Sequence, residues 1–188
     1  MIRKILEKIF SNQRLVKPVE FVVTMLLVYI GWRVFKLVAE QNENFMWGGW
    51  TLLKDCIGNT TTFASAQVLL ALGYKLTFYK RVITLDGTSG IYFADLCLGI
   101  APMVIFSGFV FAYGNNWRNK WWFAPVGIFL IFCINVLRMV ALVLIQLNGN
   151  KTYFTIAHDY LYVLVTYGFI FLMVMWWIDR WADKEAAL

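Results

Sequence analysis

The sequence predicts an all-α protein, a polytopic transmembrane bundle of about five helices with an amphipathic amino-terminal helix and a short hairpin outside the lipid. Three observations predict it. First, 61% of the 188 residues are hydrophobic and 15% are charged, against roughly 45–50% and 25% in an ordinary soluble domain. A soluble chain of this length hides only about 70% of its unfolded surface. With a mean hydropathy of +0.65, the remainder would be apolar. Second, apolar runs approach the roughly 20 residues that a hydrocarbon core demands. Third, Lys, Arg and Trp collect at the ends of those runs, as topology signals and interfacial belts do. A soluble globule, a disordered tail and a secreted disulfide scaffold are excluded. The net charge of +6 and pI near 9.3 point to anionic membrane lipids as partners and not to nucleic acid.

The elements follow in order within one membrane domain, 1–188, in which no linker or repeat is visible. Residues 1–17 interleave Arg3, Lys4, Lys8, Arg14 and Lys17 with Ile2, Ile5, Leu6, Ile9 and Phe10 at helical spacing, which reads as a helix lying on the membrane surface. A long following apolar run without a small-x-small site argues against a cleaved signal peptide. The amino-terminal spans occupy 18–80: about 19–39, with Arg33 and Lys36 snorkelling, and a weaker one at about 60–79 that contains Lys75. Residues 39–59 are polar, then aromatic, and are expected in the interface, or as a re-entrant or sixth crossing. In 81–95, β-branched and aromatic residues flank Asp86-Gly87 and Ser89-Gly90, which predicts an extended hairpin. The third span, about 96–113, carries no charge, and Gly99, Ser107 and Gly108 allow close helix approach. The fourth covers about 121–147 and the fifth about 157–178, with Trp121, Trp122, Trp176, Trp177 and Trp181 as belts.

Orientation stays open at this level. Basic residues at 1–17 and Lys75, Lys80 and Arg81 favour a cytoplasmic amino terminus. The alternative puts Arg118, Lys120, Arg180 and Lys184 in the cytoplasm and the hairpin outside.

Three side chains carry candidate chemistry. Arg138 is the one full charge deep inside the last three spans, about 17 residues or roughly 25 Å beyond Trp121. An arginine at that depth costs at least about 2.5 kcal/mol and so calls for a partner or a wet cavity, against the plainer reading of a snorkelling residue that aids insertion. Asn135 shares its helix face. His158, the single histidine, opens the fifth span; by itself it is a polar residue at a helix start. Cys97 opens the third span directly after the hairpin, where a helix amino terminus and a nearby cation would lower its pKa. Cys56 and Cys133 read as inert packing. Three cysteines without CxxC spacing and one histidine indicate neither a metal site nor a disulfide framework, and no cofactor is implied. The third helix leaves one membrane face, the fourth returns to it and the fifth starts from it. Cys97, Arg138 and His158 are therefore expected near one face, where a nucleophile, a cation and a base are the parts of thiol acyl transfer.

On these residues the sequence resembles the exosortase/archaeosortase family of integral membrane sorting enzymes. The stretches are ADLCLGIAPMVIF around Cys97, FAPVGIFLIFCINVLRMVAL around Arg138 and AHDYLYVLVTYGFIFL around His158. The similarity covers about 81–180, the expected catalytic core. The resemblance implies Cys97, Arg138 and His158 as catalytic residues, supported by Asn135 three residues before the arginine and by Gly99. Family members usually place a small polar residue before that glycine; here it is Leu98. The resemblance further implies a cysteine protease or transpeptidase, acting through a Cys97 thioester. Its substrates would be exported proteins with a carboxy-terminal signal of short motif, transmembrane helix and basic cluster. The active site would face away from the cytoplasm in the cell's inner or plasma membrane. The rival is a non-enzymatic scaffold or small transporter subunit in which Arg138 binds an anionic lipid or substrate.

Overall fold

The computed structural model describes residues 13–41, 46–86, 90–113, 117–147, 155–156, 158 and 161–182. Helix α1 (Gln13–Gln41) is followed by α2 (Met46–Ala71) and by a three-stranded antiparallel sheet of β1 (Leu76–Tyr79), β2 (Val82–Leu85) and β3 (Ile91–Tyr92). A 3-10 turn at Asp95–Cys97 leads into α3 (Ile100–Ala112), then α4 (Trp117–Leu147) and α5 (Tyr162–Trp177), which ends in a π-helical turn, Ile178–Ala182. This is an all-α membrane bundle with a small sheet at one end of its helices. The surface helix expected at 1–17 lies mostly outside the described residues.

Small residues set the helix spacing. A Cβ on Gly108 of α3 would come within 2.8 Å of Val28 Cγ1 on α1, so these backbones approach as only glycine permits. The next residue of α3, Phe109, meets Phe21 edge-on at 5.0 Å. Phe106 fills the space above Gly127 of α4 and meets Phe123 at 5.4 Å, while Phe123 stacks on Trp177 of α5 at 5.2 Å. These rings form the core that joins α3, α4 and α5. Trp177, expected in an interfacial belt, is fully buried in it, whereas Trp121, Trp122 and Trp176 are exposed. A second core packs Ala66 and Leu69 of α2 and Ile83 and Leu85 of β2 against Val136, Met139, Val140 and Val143 of α4. It seats the sheet beside the half of α4 that carries Arg138. The outward faces keep Leu27, Phe129, Leu164 and Leu172 exposed, a continuous liability in water and the expected surface in lipid.

Two expectations are corrected on the way to the site. Residues 46–59 and the first part of the weak second span form one helix, α2, which stops at Ala71 and not near Tyr79. The stop is a Schellman cap: Gly73 takes φ +88°, its N–H bonds Leu70 O, and Tyr74 N–H bonds Leu69 O. The apolar run beyond it, Leu76–Tyr79, pairs with Val82–Leu85 across a turn in which Lys80 takes φ +49°. The expected hairpin within 81–95 is present as β2–β3, with β1 as an additional strand.

Three helices among the described residues are long and apolar enough to cross a membrane: Val19–Ala39, Trp117–Leu147 and Tyr162–Arg180. Of the other two expected spans, α2 is long but carries Lys54, Asp55, Asn59 and three consecutive threonines. Helix α3 is apolar, but its 13 residues extend only about 20 Å, short of the roughly 30 Å of hydrocarbon.

Candidate active site

Cys97 does not open α3, as the sequence leads one to expect. It closes the 3-10 turn three residues before the helix begins, with its N–H donating to Ala94 O at 2.8 Å. Gly99 then takes the left-handed φ of +72° and caps α3. The left-handed step is what divides the turn from the helix, and an L side chain there would be strained. It would also collide, since a Cβ on Gly99 lies 3.0 Å from Asn135 Cγ.

Asn135 is buried and donates from Nδ2 to the Cys97 carbonyl at 3.0 Å, tying the turn to α4. His158 stands just before α5 and brings its Nε2 to 3.3 Å from Cys97 Sγ. Arg138 reaches the same place from α4, its guanidinium carbon 5.9 Å from the centre of the Tyr162 ring. Arg138 Nε is buried and has no hydrogen-bond partner among the described residues. A cavity of about 320 Å³ is lined by Gly99, Asn135, Arg138, His158, Tyr162 and Tyr167, among others. Gly99, Asn135, Arg138 and His158 thus line one cavity, and Cys97, 61 positions before His158, adjoins it through the Sγ–Nε2 contact. Cys56 is exposed and Cys133 half-buried.

Burial pushes the Cys97 thiol above its ordinary pKa; the positive charge of Arg138 and a hydrogen bond from the Ala94 backbone to the sulfur pull the other way without prevailing. The expected lowering therefore does not appear. Its basis, a helix amino terminus under the sulfur, is displaced by Gly99 to the far side of the turn. A neutral thiol beside an imidazole suits proton transfer in place of a standing thiolate. For Nε2 to accept that proton, the neutral ring carries its own on Nδ1. Among the described residues, no group of three His, Cys, Asp or Glu side chains is placed to hold a metal ion.

Sequence reasoning missed several neighbours. Tyr162, whose ring faces Arg138, was an unremarked aromatic in a span. Asp95, which begins the cysteine turn, accepts from Lys54 Nζ of α2 at 2.8 Å and from Arg81 Nη1 between β1 and β2. Arg81 Nη2 also holds Asp55 at 2.7 Å. Burial opposes charging in both Arg81 and Asp95, but their ionic partners win: Lys54 and Arg81 hold Asp95 below its usual range, and Asp95 with Asp55 holds Arg81 above its own. Leu98 turns away from the cavity and is fully buried with Trp32, Trp50 and Ile100, so its apolar character follows from the α1–α2 packing it fills.

A membrane-spanning helix bundle in which a histidine and an arginine line one cavity and a cysteine touches that histidine defines the class of this protein. The family model for transmembrane exosortases matches residues 18–177, and the chain belongs to that family. No curated protein matches the chain significantly. No solved structure does so either.

Proposed function

We propose that the chain is a membrane-embedded cysteine peptidase or transpeptidase that cleaves the carboxy-terminal sorting signal of exported proteins. The observation that carries this reading is the 3.3 Å approach of Cys97 Sγ to His158 Nε2 at a cavity bounded by Arg138. A thiol and an imidazole at that distance are a nucleophile and its base.

As the Cys97 proton moves to His158 Nε2, the sulfur attacks the scissile carbonyl and forms a tetrahedral oxyanion. Collapse breaks the C–N bond, the leaving amine takes the proton from the imidazolium, and the substrate's amino-terminal part stays on Cys97 as a thioester. An acceptor, an amine or water, then attacks the thioester while His158 takes its proton, and collapse returns that proton to the departing sulfur. Arg138 supplies positive charge to the negative charge that appears on sulfur and oxygen in each half. Its unpartnered Nε is a donor available for that purpose. Asn135 and Gly99 hold the turn that presents the sulfur. The substrates are proteins whose signal contains a short motif, a transmembrane helix and a basic cluster, and the cavity faces the non-cytoplasmic side of the plasma membrane.

The test is co-expression with exported proteins bearing such signals, comparing wild type with Cys97→Ala and His158→Ala at matched membrane abundance. Wild type is expected to release the signal and both variants to leave it attached. Equal processing by Cys97→Ala rejects the proposal and favours a scaffold or transporter subunit whose Arg138 holds an anionic lipid.

A further inference from the structure

We propose that Asp95 is a positioning residue for Cys97, held by Arg81 and Lys54 so that the cysteine turn keeps the sulfur against His158. The inference rests on the reading of Cys97 and His158 as a working pair. Asp95 begins the 3-10 turn that Cys97 ends, and Leu98 N–H returns to Asp95 O at 3.4 Å, so a shift of Asp95 carries the whole turn with it.

Its carboxylate is gripped from two directions. Lys54 Nζ approaches from α2 at 2.8 Å, and Arg81 Nη1 approaches from the turn between β1 and β2. Arg81 is itself fixed: it is 7% exposed, its Nη2 bonds Asp55 of α2 at 2.7 Å, and its carbonyl accepts from Phe93 N–H at 2.8 Å. Helix α2 is shaped to receive it, because a Cβ on Gly58 would lie 2.6 Å from Arg81 Nε. On the other side of the turn, Asn135 holds the Cys97 carbonyl to α4. The nucleophile is therefore braced at both ends of a three-residue turn, by a neutral hydrogen bond on the α4 side and by an ionic clamp on the α2 side.

The plainer reading is a set of partly exposed ion pairs, which contribute little to stability. The two readings separate because an ion pair that only stabilises has no reason to act through His158. Simple loss of a negative charge near a thiol would even favour the thiolate and speed its reactions.

The experiment measures alkylation of Cys97 by N-ethylmaleimide in the detergent-solubilised full chain at one fixed pH. Mass spectrometry of the Cys97-bearing peptide separates it from Cys56 and Cys133. Asp95→Asn, His158→Ala, the double variant and Asp95→Glu are compared with wild type. Asp95→Asn is expected to slow Cys97 about tenfold, within the loss that a misplacement near 1 Å produces. His158→Ala is expected to slow it as well, the double variant to be no slower than His158→Ala alone, and Asp95→Glu to recover most of the rate. Reaction of Asp95→Asn at or above the wild-type rate overturns the inference, as does an equal slowing by Asp95→Asn in the His158→Ala background. Wild-type reactivity of His158→Ala overturns the pair itself and the inference with it, a failure recognisable without any Asp95 variant. Should Asp95→Asn not fold, Gly58→Ala displaces Arg81 while leaving Asp95 in place. It is expected to slow Cys97 several-fold, and an unchanged rate there also overturns the inference.

Discussion

Replacing Gly99 by alanine strikes two features at once, and the structure gives the size of each. The residue sits at φ +72°, where an L side chain costs about 1–2 kcal/mol. The new Cβ would lie 3.0 Å from Asn135 Cγ and 3.2 Å from its Nδ2, which must withdraw from the Cys97 carbonyl. Leaving that buried acceptor unpaired costs about 1–3 kcal/mol more, so Gly99→Ala should destabilise the fold by about 2–5 kcal/mol in all. Asn135→Ala alone should cost only the hydrogen-bond share. In the Gly99→Ala background it should cost almost nothing further, because the bond is already lost and the truncation removes the clash. The assay is reversible unfolding in mixed micelles, followed by tryptophan fluorescence, for the two single variants and the double. Costs that simply add, or a Gly99→Ala protein within about 0.5 kcal/mol of wild type, would refute the claim that Gly99 exists to let Asn135 grip the cysteine turn.

Four further outcomes are expected. Cys56→Ala and Cys133→Ala should retain processing, since Cys97 is the cysteine whose Sγ meets His158 Nε2; loss of processing in Cys133→Ala at normal abundance would count against Cys97 as the nucleophile. Arg138→Lys should process far more slowly than wild type, because a guanidinium offers a planar fork of donors where an ammonium is a compact, strongly hydrated charge; near-normal processing would reduce Arg138 to a generic cation. With burial raising the Cys97 pKa against the pull of Arg138, its alkylation rate should keep climbing beyond the ordinary thiol value of about 8.5. Arg138→Met should move that profile higher still, and a plateau near neutrality would contradict the neutral resting thiol. An engineered cysteine at Tyr79, which is exposed on β1, should react in intact cells with an impermeant reagent in a Cys56→Ser background. Labelling only after lysis would reverse the proposed orientation.

The parts of this molecule legible in the sequence are those that local pattern encodes. The apolar runs of α1, α4 and α5 mark their own spans, and helix parity alone brings the ends that carry Cys97, Arg138 and His158 to one place. What escaped depends on contacts between distant segments or on a competing local rule. Leu76–Tyr79 continues an apolar run, so period alone extends the helix through it, yet Gly73 in the left-handed conformation ends α2 first. That glycine was the available signal. The break at Gly99 is of the same kind: the residue reads as a small helix-packing position and instead caps the helix and turns the chain. The clamp of Lys54, Asp55, Arg81 and Asp95 joins residues 14 to 41 positions apart, and no spacing rule pairs them. Leu98 is intelligible only beside Trp32 and Trp50, which come from two other helices.

The central claim is that Cys97 forms a covalent acyl intermediate. Its most direct measurement is an acid quench of membranes co-expressing the chain with a processed substrate, followed by mass spectrometry of the Cys97-bearing peptide. The account predicts the substrate's new carboxyl end attached to Cys97 as a thioester, released by hydroxylamine and absent from Cys97→Ala membranes. An adduct mapped to a different residue, or signal cleavage that continues in Cys97→Ala membranes, would contradict it.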